Sequence, residues 1–221
     1  MATSGVTAFS RTARELITDA LIDAKVIASG ETPTSDEMTD GIRVLNEILK
    51  GWQMRDVSLW RETNGDLSIP ADDASVALPA GIRDVVSARY LVSANNERPM
   101  ARIEREEYGC IPNKAQSGSP TLYYISRQRD AVVMYVWPVP TATATIKIDY
   151  DRIVETVTDE TQTVDIPEEY APTLVAKMAV RFETMFNDAG MKDPELAGRA
   201  ALLERDMFDA DRPESYIMGV R

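Results

Sequence analysis

The sequence predicts an α+β protein: a helical bundle formed by N- and C-terminal helices, with an antiparallel β-rich lobe between them. Three observations carry this. Apolar residues recur at helical spacing behind two capping-box patterns in the first 52 residues. From Thr143 to Tyr150 the period switches to two, with Ala144, Ile146, Ile148 and Tyr150 on one side and Thr143, Thr145, Lys147 and Asp149 on the other. Beyond Tyr170 the helical period returns.

The first helix is signalled by Thr12 and Glu15, whose spacing lets each side chain satisfy the other residue's backbone N–H, and by a stripe of Leu16, Ile17, Ala20, Leu21, Ala24 and Ile27. Gly30 is its expected stop. Thr34 and Glu37 repeat the capping pattern, and Met38, Ile42, Leu45, Ile48, Leu49 and Trp52 form a second stripe. So short a connection predicts an antiparallel helical hairpin, residues 1–63.

Residues 64–152 read as the β-rich lobe. "DLSIP" and "SVALP" are short strand candidates either side of the turn-rich "ADDA", and "DVVSARYLVS" is a longer one. "ANNERP" reads as a polar turn, and the middle of "MARIEREEYGCIPNK" as one or two helical turns. "TLYYISR", "AVVMYVWP" and "ATATIKIDYD" then follow through short connections, which predicts an antiparallel meander. The middle strand of these three, Val132 to Trp137, is apolar on both sides. Both its faces therefore need cover: the helices on one, and on the other either the 66–92 strands or another subunit.

Residues 153–210 complete the helical core. "VETVTDETQTVDIPEEY" carries acidic residues and no basic ones, and reads as a solvated loop. Asp165, Pro167 and Glu168 mark a helix start, with Tyr170, Leu174, Val175, Met178, Phe182, Met185 and Phe186 on the apolar face and Gly190 at the end. Asp193 and Pro194 open another helix, striped by Leu196, Ala200, Leu203 and Met207. Pro213 bounds a tail, 211–221, too short for a core of its own.

The chemistry expected is as much a matter of what is absent. The chain has no histidine and a single cysteine, Cys110. Ser–His–Asp and Cys–His nucleophile systems, imidazole metal sites and an intrachain disulfide are excluded, and a reducing compartment is the natural setting. No phosphate-cradling glycine motif occurs, and "SGSP" at 117–120 reads as a turn. "DAD" at 209–211 reads as a solvated helix end rather than a cation site. No cofactor, metal or catalytic residue is therefore expected. The net charge is −12, with basic residues dispersed among acidic ones, which disfavours tight nucleic-acid binding and suits a surface that nucleic acid slides past without sticking. The amino terminus has no secretory-signal pattern and no run is long enough to span a bilayer. Among 36 acidic residues a carboxylate pair able to hydrolyse a glycan or peptidoglycan remains a possible alternative, as does a generic protein-interaction module.

Several blocks, in order, resemble one family: "ASGETPTSDEMTDGIRVLNEILKGW", "LPAGIRDVVSARY", "REEYGCIPNKAQSGSPTLYYISRQRDAVVMYVWPVPTATATIKIDYDR" and "VDIPEEYAPTLVAKMAVRF". This is the head-to-tail adaptor of short-tailed bacteriophages, also called the packaged-DNA stabilisation protein or tail accessory factor. The resemblance covers most of residues 10–187.

It implies a structural protein of the virion neck, assembled in the host cytoplasm. In that family the subunits form a ring, typically of twelve, beneath the portal protein; the ring extends the DNA channel, retains packaged DNA and docks the tail nozzle or next tail component. A carboxy-terminal segment grips the portal. The matching segment here is 211–221, with Tyr216, Ile217, Met218, Val220 and Arg221 as the expected portal-binding residues. No membrane contact is implied.

Overall fold

The computed structural model describes residues 10–55, 61–94, 96–128, 131–187 and 193–210. The chain is α+β, with helices from both ends and a curled, mixed seven-stranded sheet between them. It divides into two compact units, one from residues 1–60 with 154–221 and one from residues 61–153.

In the helical unit, α1 (Ala13–Asp23) and α2 (Ser35–Met54) both start on complete capping boxes, Thr12 with Glu15 and Thr34 with Glu37. Gly30 is not the stop for α1. The helix ends seven residues earlier, because Lys25 takes a left-handed conformation (φ 59°). Ala24 and Ile27 still reach the core from the connection that follows. The two helices meet where Gly41 faces Ile17, and a Cβ on Gly41 would lie 2.6 Å from Ile17 Cγ2.

The last two helices are α4 (Ala171–Phe186) and α5 (Pro194–Ala210). Asp165–Glu168 does not start α4 itself. A 3-10 turn, Glu168–Tyr170, comes first, and the α-helix begins at Ala171 with Pro172 in its first turn, where a missing N–H costs nothing. It ends at Phe186 with Asn187 as cap; Gly190 lies outside the described residues. Asp193 opens α5 as expected, accepting the Glu195 N–H. The central element is α4, which touches α1, α2 and α5 and buries Leu174, Met178, Ala179 and Phe182 completely.

The acidic segment after the sheet is no solvated loop. Val154, Val157 and Val164 are buried in the helical core, so residues 154–164 form a strap across it. The polar residues between those valines masked this pattern in the sequence. Asn46 on α2 clasps the strap as a neighbouring strand would: its Nδ2 donates to Val157 O (2.8 Å) and its Oδ1 accepts the Val157 N–H (2.9 Å). Lys50 donates to Val154 O.

The second unit holds β1 (Glu62–Ile69), β2 (Ser75–Ala77), β3 (Ile82–Ser93), β4 (Asn96–Arg102), α3 (Arg105–Cys110), β5 (Leu122–Arg127), β6 (Val132–Trp137) and β7 (Ala144–Arg152). "ANNERP" is not only a turn: it closes a β3–β4 hairpin and supplies the first residues of β4, Pro99 included. The meander fails at its third strand. β5 and β6 pair antiparallel, but β7 crosses away to lie between β1 and β3, giving the order β1-β7-β3-β4-β5-β6-β2. The sheet turns its corner at β4, whose first residues pair with β3 and whose last two pair with β5, parallel.

That curl answers the demand of β6 for two covers. Met134 and Val136 point into a core drawn from residues of the lobe's own strands, including Leu67, Ile69, Val85, Ile146 and Ile148. The other face, Val133, Tyr135 and Trp137, is half-buried. Replacing Gly41 by Ala overpacks the α1–α2 contact and is expected to cost about 2 kcal/mol, read as a fall of about 4–8 °C in Tm for a chain of this size. Asn46→Ala leaves two backbone groups of Val157 unpaired, a loss of about 1–3 kcal/mol, with faster hydrogen exchange at the Val157 amide.

Candidate docking surface

One of the blocks that carried the family resemblance, residues 105–152, builds the outer face of β5 and β6. Tyr108, from α3, lies 5.8 Å from Tyr124 on β5 and 5.5 Å from Tyr135 on β6, and Tyr124 and Tyr135 stack at 5.8 Å. Alternation puts Tyr124 and Tyr135 opposite each other on this face. The third ring needs a helix held in place, and α3 is too short to persist alone. Two contacts hold it. Glu107 accepts the Glu104 N–H at its start (3.0 Å), and Lys114 donates to Gly109 O and Ile111 O at its end while lying over the Tyr108 ring.

The proline-bounded motifs finish the cover. Trp137 Nε1 donates to Asn113 O (3.0 Å), and Gly118 N and Val139 N pair with Val139 O and Gln116 O. The Trp137–Pro138 bond is cis. A Cβ on Gly118 would sit 3.2 Å from Pro138 Cβ, which is why this turn tolerates only glycine without a shift. "YGCIPNK", "SGSP" and "WPVP" are thus one constellation, brought together by packing. The tyrosine trio was not legible beforehand, since its members come from three elements. Burial and the neighbouring Tyr135 push the Tyr108 hydroxyl up in pKa, so it stays neutral.

The outer face of β3, β4 and β7 carries a second constellation, of charge. Arg89 grips Asp149 with two hydrogen bonds (2.9 and 3.0 Å), Ser87 donates to Asp149 (2.5 Å), and Glu97 pairs with both Lys147 (2.7 Å) and Arg89 (3.2 Å). The Ser87 hydroxyl, followed by Arg89, holds Asp149 below the usual carboxylate range. Lys147 does the same for Glu97. At one edge of the lobe Asp84 receives both Arg102 and Arg127.

In the helical unit, Glu204 on α5 accepts from Trp52 Nε1 (3.2 Å) and Lys177 (3.1 Å), and Arg55 lies over the Phe208 ring. These contacts fix α5, the root from which residues 211–221 depart. Tyr216, Ile217, Met218, Val220 and Arg221, the expected portal-binding residues, lie outside the described residues, as does Asp211 of the "DAD" segment.

A shallow groove of about 550 Å³ beside α1 is lined by Ser10, Arg11, Arg14, Glu15, Thr18 and Asp19. Its charged groups are engaged: Arg11 with Asp19, Arg14 with Glu160, and Glu15 with the Thr12 cap. Glu15, Glu97, Asp149, Asp159 and Asp193 are all shifted downward, toward the charged form, whereas a general acid needs the opposite shift. Among the described residues no group of three metal-ligating side chains is placed to hold an ion, and no helix is long and apolar enough to cross a membrane.

The family model for the SU10 adaptor protein matches residues 11–217, from the first capping box through both units and into the tail. The chain belongs to the SU10 adaptor protein family. No curated protein matches it. Membership agrees with the resemblance to phage head-to-tail adaptors. It identifies a phage adaptor protein with a structural part in virion assembly, a location at the virion neck, and interaction with portal and tail components.

Tyr124→Ala removes a partner from two ring pairs, each worth about 0.5–1.5 kcal/mol beyond area. Together with the lost burial it should destabilise the adaptor by about 2–3 kcal/mol and release α3, seen as enhanced proteolysis between residues 104 and 116; Tyr124→Phe should keep the stack. Asp149 has a depressed folded pKa, so its stabilising contribution is present above the unfolded value near about 4 and is lost as pH falls through the folded value. Asp149→Asn should therefore lower stability at pH 7 by about 1 kcal/mol, the small end of the range because a third of each partner remains wet, and leave the variant less sensitive to acid below about pH 4.

Proposed function

We propose that this adaptor assembles as a ring, of twelve copies, beneath the portal protein, where it extends the DNA channel, retains packaged DNA and docks the tail nozzle or next tail component. The observation that carries the reading is the family match across residues 11–217. Residues 211–221 serve as the portal dock, with Tyr216, Ile217 and Met218 as anchors and Val220 and Arg221 beside them. Three apolar side chains contribute only about 1.5–3 kcal/mol each in gross terms, and much of that is lost in ordering the tail. Tails borne together on one ring act at high effective concentration, so weak single contacts sum to firm attachment. α5 supports this role, because the Glu204 contacts hold the root of each tail in place. Net negative charge keeps the passing DNA from being clamped.

Mass measurement of the adaptor mixed with its portal tests the ring: complexes with a full complement of adaptor copies are expected. Deleting residues 211–221, or replacing Ile217 by Asp, should abolish those complexes while leaving the melting temperature within about 2–4 °C of the parent. Absence of any association with the tail intact overturns the proposal, and unchanged association after deletion moves the dock elsewhere.

A further inference from the structure

The sheet of the lobe is open, and its two edges are β1 and β2. β2 has three residues and offers little to pair with, whereas β1 has eight. All of β1 pairs with β7 in unbroken register, from Glu62↔Asp151 to Ile69↔Ala144. In an antiparallel pair every second residue turns its N–H and C=O away from the neighbouring strand. On β1 those groups meet no other backbone among the described residues. The devices that usually blunt such an edge are a proline, a bulge or a lysine, and Glu62–Ile69 contains none of them.

The side chains along this edge define what fits beside it. Alternation puts Glu62, Asn64, Asp66 and Ser68 on the outer face, all of them exposed, and Gly65, Leu67 and Ile69 on the core face. Among the described residues neither carboxylate of β1 has an ion-pair partner. Glu62 stands opposite Asp151 of β7, like charge against like. Lys147, opposite Asp66, is held by Glu97 (2.7 Å), so Asp66 exerts only a longer-range pull on that amine. A cation placed on the free side of β1 relieves both positions. On the core face the missing side chain of Gly65 leaves room that the Tyr150 ring partly takes: a Cβ there would lie 3.2 Å from Tyr150 Cε1. Tyr150 is itself only half-buried, so an apolar side chain beside it extends the core of the lobe.

We propose that β1 is a docking edge for an extended segment of a partner protein in which basic residues alternate with apolar ones. The backbone of that segment continues the ladder beyond β1; its basic side chains lie across from Glu62 and Asp66, and its apolar side chains lie beside Gly65 and Tyr150. The same carboxylates turn away a second copy of β1, because that pairing brings further acidic side chains to an edge with no basic one. Charge thus replaces the usual blunting devices, closing the edge to its own kind and leaving it open to a strand of opposite sign. The docking edge needs neither the ring nor the tail contact proposed above, and stands or falls apart from them.

The test titrates the full-length adaptor with three peptides matched to β1 in length: alternating lysine and valine, alternating glutamate and valine, and the lysine peptide with a central proline. Backbone amide shifts and hydrogen exchange across residues 62–69 give both the place and the strength of binding. The lysine peptide is expected to move the β1 signals and slow exchange at every second amide. The glutamate and proline peptides should bind about tenfold more weakly, the first through repulsion and the second through lost ladder bonds. The double variant Glu62→Lys with Asp66→Lys should reverse the preference between the lysine and glutamate peptides, and its melting curve reports that it is folded. If that variant melts early, Asp66→Asn replaces it and should weaken the lysine peptide by about threefold. Signals that move only outside β1, equal binding of the two charged peptides, an unchanged preference in the folded variant, or no binding at millimolar peptide each overturn the proposal. Protection of the β1 amides that rises with adaptor concentration in the absence of peptide also overturns it, since another copy then takes the edge.

Discussion

An element with apolar residues on more than one side must be covered from more than one side, and each unit of this adaptor is arranged to meet that demand. In the helical unit the element is α4, which buries Leu174, Val175, Met178 and Phe182 against α1, α2 and α5. In the lobe it is β6, whose inner residues Met134 and Val136 face the other strands and whose outer residues lie beside the tyrosine trio. Burial of large apolar side chains at about 1.5–3 kcal/mol each outweighs any single polar contact here. Curling the sheet at β4 and drawing the 154–164 strap over the helices are both consequences.

Polar groups then decide the details that apolar burial leaves open. Asn46 stands in for a strand at Val157, Lys114 closes the end of α3, and Glu204 gathers Trp52 and Lys177 onto α5. Each gives backbone or indole groups a partner where burial would otherwise leave them costly. The perturbed carboxylates are stabilised as anions, as suits structural ion pairs.

The division of charge gives the two units different electrostatic characters. A nearly neutral lobe has its ion pairs organised internally, as Arg89, Asp149, Glu97 and Lys147 show. The helical unit carries most of the surplus acidic charge, a net −11 against −1 in the lobe.

The sequence by itself determined the existence of α1, α2 and α5 and the starts of α1 and α2, because 3.6-residue stripes and, for the first two, capping boxes are local signals. It also located β5, β6 and β7 and, through ordered motif blocks, pointed to the family. Tertiary structure alone decided where β7 goes: a strand alternating Ala144, Ile146 and Ile148 could pair beside β6 or between β1 and β3, and the choice lies in long-range packing. It alone buried the valines of the acidic strap, stopped α1 at a left-handed Lys25, and assembled Tyr108, Tyr124 and Tyr135 from three elements. Periodicity records which side of a segment is apolar. It does not record what covers that side, since the cover comes from residues distant in the chain.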